Sequence, residues 1–102
     1  MTPMVLEVAL IDVTAGAETA FRTAYASAGP LVSGSPGCRS MRLTQGVETP
    51  TRFVLLVEWD SIQAHEGFRS SERFVQWRAL LGPLFAGPPQ VEHFADVPPQ
   101  AG

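Results

Sequence analysis

Few side chains in this 102-residue sequence are suited to nucleophilic or acid–base work. There are two histidines, His65 and His93, one cysteine, Cys38, one tyrosine, Tyr25, and two tryptophans, Trp59 and Trp77. Cys38 could act as a nucleophile with either histidine as its base. It is read instead as a small apolar residue at the start of a strand, the usual fate of a free cysteine. The histidines are 28 positions apart, without the H-x-x-x-H or H-E-x-x-H spacing of a metal site, so no metal is expected. The densest stretch runs from Glu58 through Trp59 and His65 to Ser71. In it a strand ends on a tryptophan, Asp60 or Ser61 caps a helix, and a histidine falls in the first turns of that helix. Trp59 at a strand end also suits core packing, and His65 on an apolar stripe also suits a structural histidine. Tyr25 fits a core position with a wet hydroxyl, Trp77 has the helical spacing of a core residue, and His93 lies on a short last strand.

These residues are positioned by alternating strand and helix patterns. Met4 to Val13 is aliphatic and β-branched and predicts strand one. Thr14 is a candidate cap for a helix over Ala17 to Ala28, where Ala17, Phe21, Ala24, Tyr25 and Ala28 recur at helical spacing; Gly29-Pro30 should end it. Cys38 to Thr44 predicts strand two, with Arg39, Met41 and Leu43 on one face. Arg52 to Trp59 predicts strand three, paired with strand two as a hairpin across Gly46 to Thr51. Ile62, His65 and Phe68 share a helical face. Ser70-Ser71 interrupts that helix, and Phe74, Trp77, Leu80, Leu81 and Leu84 form the stripe of a further segment. Val91 to Ala95 is a fourth strand. The order β-α-β-β-α-β is the split βαβ, ferredoxin-like α+β pattern, with an antiparallel four-stranded sheet and helices on one face. Residues 1–97 are expected to form one domain and 98–102 a frayed tail.

Composition excludes several functions. The net charge is −3 and the seven basic residues, all arginine, are scattered, so no nucleic-acid stripe is present. No apolar run is long enough for a membrane span. The N-terminus lacks a basic leader pattern, which favours the cytoplasm. No glycine-rich phosphate loop, dinucleotide fingerprint or G-x-S-x-G elbow occurs, so no cofactor is expected.

One pattern points to a second chain. A sheet covered on one face should alternate apolar and polar residues. Strand one instead places Val5, Ala9, Ile11 and Val13 on one face and Met4, Leu6, Val8 and Leu10 on the other. Strand three places Phe53, Leu55, Val57 and Trp59 against Val54 and Leu56. Both faces require burial, but the chain has helices for one, so a homodimer sharing the second face is expected.

The ordered set Pro36-Gly37 before strand two, Trp59-x-Ser61 at the end of strand three, His65 six residues beyond the tryptophan, the Ser70-Ser71 break and Gly87-Pro88-Pro89 before the last strand resembles the antibiotic biosynthesis monooxygenase family over about residues 4 to 96. The resemblance implies a dimeric α+β barrel with a pocket between sheet and helices. It also implies oxygenation of a small aromatic or polycyclic phenol or quinol by O2 without metal or flavin. On this reading His65 is a general base or orienting donor, Trp59 is a pocket wall donating through its indole N–H, and Tyr25, Phe68, Leu55 and Trp77 line the substrate pocket. The sequence departs from the haem-degrading branch. It has no asparagine, Phe68 stands at that branch's tryptophan position and Arg78 stands near its histidine. It departs from the quinone-forming branch too, with Leu55 where that branch has a polar residue and His65 where it has a tyrosine. A non-catalytic ligand-binding or stress-related dimer, or a non-oxidative isomerase, cyclase or decarboxylase using His65, are alternatives on the same fold.

Overall fold

The computed structural model describes residues 4–100. The last two positions of the expected tail, Ala101 and Gly102, lie outside the described residues; Val97 to Gln100 carry no regular structure. The elements are β1 (Val5–Asp12), α1 (Glu18–Ser33), β2 (Cys38–Gln45), β3 (Arg52–Trp59), α2 (Ile62–Arg69), α3 (Glu72–Leu81), a 3-10 turn (Gly82–Leu84) and β4 (Gln90–Phe94). The four strands form one sheet in the order β2-β3-β1-β4, with every neighbouring pair antiparallel. This is the expected ferredoxin-like α+β fold.

The three helices pack on one face. Ala9, Ile11, Phe53, Leu55, Val57 and Trp59 from the sheet bury against Phe21, Ala28 and Val32 of α1, Phe68 of α2, and Trp77 and Leu81 of α3. Phe21 is fully buried on Phe53 at 4.7 Å between ring centres. The opposite face carries Leu6, Val8 and Leu10 of β1 beside Val54 and Leu56 of β3, all half-buried, and among the described residues no helix lies over them.

The helices depart from the sequence reading in four places. α1 does not stop at Gly29-Pro30 but continues through Pro30 to Ser33. A proline in a helix forfeits one backbone hydrogen bond. Burial of Val32 and a last turn closed by Gly34 N–H donating to Pro30 O at 2.9 Å hold the extension in place. A Cβ at Gly29 would sit 3.1 Å from Met41 Cε, a tight contact that the end of this flexible side chain would have to relieve by a few tenths of an ångström. Thr14 is not the cap; Ala17 is, with no side-chain bond. Leu80 leaves the α3 stripe and is 44% exposed. Ile62 does not share the buried face of His65 and Phe68 but lies exposed in the first turn of α2.

β2 also differs. Cys38 pairs with Trp59 and Ser40 with Glu58, so Arg39 is an extra, bulged residue. The bulge ends the simple alternation read for this strand and turns Arg39 toward Asp60, with which it forms an exposed ion pair.

Candidate functional site

The site is built around one residue on the buried face of β1. Strand alternation puts Glu7 on the same face as Val5, Ala9 and Ile11, and Glu7 is only 6% exposed. The register sets it opposite Val57 on β3 and His93 on β4. Trp59, two residues beyond Val57 on β3, reaches diagonally and donates its indole Nε1–H to Glu7 Oε1 at 2.9 Å.

α2 supplies the next member. Ser61 caps it, its side chain accepting from the Ala64 amide at 3.1 Å. Just before β2, the Gly37 carbonyl accepts from the Asp60 amide at 2.8 Å. Gly37 has φ +85° and a Cβ there would fall 2.6 Å from the Ala64 Cβ, so only glycine lets this loop touch α2. The helix so placed stacks the His65 ring on Trp59, with centres 5.2 Å apart and planes 16° apart. His65 Nε2 lies 3.3 Å from Glu7 Oε1, and His65 Nδ1 shares a 2.7 Å hydrogen bond with His93 Nε2. Nδ1 of His65 is therefore hydrogen-bonded within the protein, and Nε2 makes a 3.3 Å contact with the Glu7 carboxyl.

Burial shifts the titration of both Glu7 and His65. Burial, reinforced by nearby His93 and Arg69, pushes the His65 pKa down to about 4, so its ring is neutral at pH 7. Burial raises the Glu7 carboxyl above the usual carboxylate range, and the Trp59 hydrogen bond and Arg69 only partly offset that. A neutral His65 with its proton on Nε2 can donate to Glu7, and its Nδ1 then accepts from His93. Cys38 is half-buried, with its thiol pKa raised chiefly by burial, which disfavours the thiolate that nucleophilic chemistry needs.

Glu7 and His65 face a cavity of about 650 Å³ between the sheet and α2, α3 and the loop before β4. That is ample for a small-molecule ligand. Leu55, Phe68, Phe74 and Trp77 line its apolar part, and Arg69 and Arg78 are its cationic members. Arg78 lies over the Phe74 ring at 5.9 Å.

Of the residues singled out from sequence, His65, Phe68, Leu55 and Trp77 line this cavity. Trp59 is fully buried behind His65 and hydrogen-bonds Glu7 rather than forming an exposed wall. Tyr25 is not among the lining residues; it packs edge-on against Trp77 at 6.5 Å. The sequence reading passed over Glu7 altogether and did not pair His93 with His65. The signal for Glu7 was its parity, since it is the one charge in Val5 to Ile11 and sits on the face that turned out to be buried. Among the described residues no group of three or more His, Cys, Asp or Glu side chains is arranged to hold a metal ion. Among them, too, no helix is long and apolar enough to cross a membrane.

Comparison with known proteins agrees with this architecture. The Bacillus subtilis (strain 168) protein YczJ, itself uncharacterised, is 39% identical over 95 residues, covering 92% of this chain and all of YczJ. A Bordetella bronchiseptica protein provisionally assigned as an antibiotic biosynthesis monooxygenase has a crystal structure that superposes with a TM-score of 0.90 at 39% identity, covering 94% of this chain and 99% of that one. A similarly assigned structure from Nitrosomonas europaea shares the fold at 19% identity, with a TM-score of 0.84 over 99% of this chain and 97% of its own. The family described as antibiotic biosynthesis monooxygenase matches residues 4–80, from β1 through most of α3 and across the whole Trp59–His65 junction, and the chain belongs to that family.

Proposed function

We propose that the protein is a cofactor-independent monooxygenase acting on a small aromatic or polycyclic phenol or quinol. The observation that carries this reading is the buried Glu7–His65 pair facing an otherwise largely apolar cavity of about 650 Å³. Electron-rich aromatics react with O2 once they have lost a proton, because the anion can give up an electron that the neutral molecule holds. A site for this reaction needs a proton acceptor of raised basicity in a water-poor pocket. For an anthrone-type methylene the balance is simple. The C–H proton goes to the acid–base cluster and one electron of the remaining pair goes to O2. Recombination and return of that proton give a hydroperoxide; loss of the second C–H proton then breaks its O–O bond to leave a ketone, and that proton joins the departing hydroxide as water. In this reading His65 and Trp59 are the working residues at the polar end, and Phe68, Leu55 and Trp77 hold the ring system.

The working unit in this proposal is a homodimer in the cytoplasm. The uncovered sheet face has the pattern of an interface. Leu6, Val8, Leu10, Val54 and Leu56 form its apolar centre. Ser40, Arg42 and Thr44 of β2 and Gln90 and Glu92 of β4 lie toward its edges. A second copy of the same face would cover the apolar centre.

The test is oxygen consumption with a panel of anthrones and quinols, run beside His65→Ala and Trp59→Phe. The expected result is a stoichiometric O2 uptake that falls by about a hundredfold in His65→Ala and less in Trp59→Phe. Equal rates in all three proteins would defeat the assignment. Turnover that persists without oxygen would favour a non-oxidative isomerase or cyclase in the same pocket.

A further inference from the structure

His65 is the obvious base in the sequence, but both of its ring nitrogens face polar partners within the protein. Nδ1 is held by His93 at 2.7 Å and Nε2 faces Glu7 Oε1 at 3.3 Å. Glu7 differs. Its Oε1 takes both the Trp59 N–H and the His65 contact, while among the described residues Oε2 makes no hydrogen bond and Glu7 belongs to the cavity lining. Among those residues no buried polar side-chain atom is left without a partner, so Oε2 keeps an accessible side. Trp59 from β3 and His65 from α2 meet Oε1 directly, and His93 from β4 stands behind His65.

We propose that Glu7 is the group that takes the proton from the substrate, and that His65 is a positioning residue, kept as an Nε2–H donor to Glu7 by donation from His93 to its Nδ1. The inference rests on the oxygenase reading and reassigns the base within it. In one cycle the substrate proton moves to Glu7 Oε2 and the electron pair stays on the substrate. That proton returns to the peroxide anion to give the hydroperoxide; Glu7 Oε2 then takes the second C–H proton as the O–O bond breaks to form the ketone, and passes it to the departing hydroxide as water, leaving Glu7 ionised. Trp59 and His65 act only through Oε1, orienting the carboxylate and steadying its charge in a buried setting. The charged and titratable groups around Glu7 are Arg69 and His65 on α2, His93 on β4, Cys38 on β2 and Arg78 on α3 across the cavity. The raised carboxyl pKa fits a proton acceptor better matched to a phenol or an activated methylene than an ordinary carboxylate is.

The experiment uses the full-length protein and an anthrone as probe, with two readouts. The first is steady-state O2 uptake by Glu7→Gln, Glu7→Asp, His93→Ala and His93→Gln. The expected result is a kcat about a hundredfold lower in Glu7→Gln with KM little changed, and partial activity in Glu7→Asp. His93→Ala should lower kcat about tenfold and move the acid limb of the pH–rate profile, whereas His93→Gln, which keeps an N–H donor, should restore most of both. A Glu7→Gln protein that is folded by circular dichroism and turns over at the wild-type rate overturns the proposal and leaves the oxygenase reading standing. The second readout is nitrogen NMR of the imidazole rings, which needs no turnover. It should show His65 neutral at pH 7 with its proton on Nε2. A charged His65 ring, or a proton on Nδ1, overturns the donor chain whether or not any anthrone is oxidised. If the wild type takes up no oxygen, the oxygenase reading and the proton-transfer role fail together, and the NMR result still decides the donor chain.

Discussion

On the helix-covered face of the sheet, Glu7 and His65 lie among fully buried aromatic and aliphatic side chains; on the opposite face, Leu6, Val8, Leu10, Val54 and Leu56 stand half-buried, with no element among the described residues over them. The first face buries polar groups where apolar ones would be more stable. The second exposes apolar groups where polar ones would be more soluble. Each departure costs stability in a monomer, by desolvation on one side and by wetted hydrocarbon on the other. Such costs persist where something outside the isolated chain offsets them, which in the proposed function is a substrate on the first face and a second copy on the second.

The largest test of this contrast is a charge on the uncovered face. Leu56→Glu places one carboxylate at the centre of the proposed interface, and two in the symmetric pair. We expect the dimer dissociation constant to rise at least about a hundredfold, roughly 3 kcal/mol, read by size-exclusion chromatography with light scattering. A wild-type protein that is already monomeric at micromolar concentration would break the comparison at its second half.

The covered face is tested by pH. His65 titrates near 4 when folded, against an ordinary value of 6.5. Its contribution to stability is therefore fully present above about 6.5 and is lost as pH falls toward about 4, an effect on the order of 3 kcal/mol. Glu7 runs the other way. Its folded value is raised above 4.5, so its contribution is fully present below that point and lost as pH rises through the folded value. The two trends oppose one another in the wild type. Urea melts across about pH 4 to 8 should show stability climbing with pH in Glu7→Gln and declining with pH in His65→Gln. Parallel curves in both variants would mean that the pair is not the source of the dependence.

Gly37→Ala sharpens the same side. It adds a Cβ 2.6 Å from the Ala64 Cβ at a left-handed backbone position, and so pushes on the helix that carries His65. We expect about 2 kcal/mol of destabilisation by chemical denaturation, with a disturbed His65 ring signal. The smallest effect belongs to the rim of the uncovered face. Asp12 and Arg52 pair at 3.0 Å with both side chains about half exposed, and Asp12→Asn should cost less than about 1 kcal/mol and leave dimerisation unchanged.

Much of the architecture was legible in the chain. β3 begins and ends where the pattern from Arg52 to Trp59 places it, and the Ser61 cap and the Ser70-Ser71 break fall where expected. Such features are written in residue type and near-neighbour spacing. Gly29-Pro30 misled because local propensity was overridden by the burial of Val32 one turn further on. The Arg39 bulge was invisible because one strand read alone does not reveal a two-against-one pairing.

The candidate site divides along the same line. Trp59 and His65 were found because they are six residues apart across one strand-to-helix junction. Glu7 is 52 residues from Trp59, and His93 is 28 from His65. The sequence by itself determined the order of elements, the two apolar faces of β1 and β3, and a histidine poised after a tryptophan. The tertiary structure alone decided that a carboxylate on β1 meets that indole, and that a second histidine on the edge strand occupies the free nitrogen of the first. The physical reason is that sheet register and helix docking are set by packing between distant segments, whereas helices, caps and turns are set by the residues beside them.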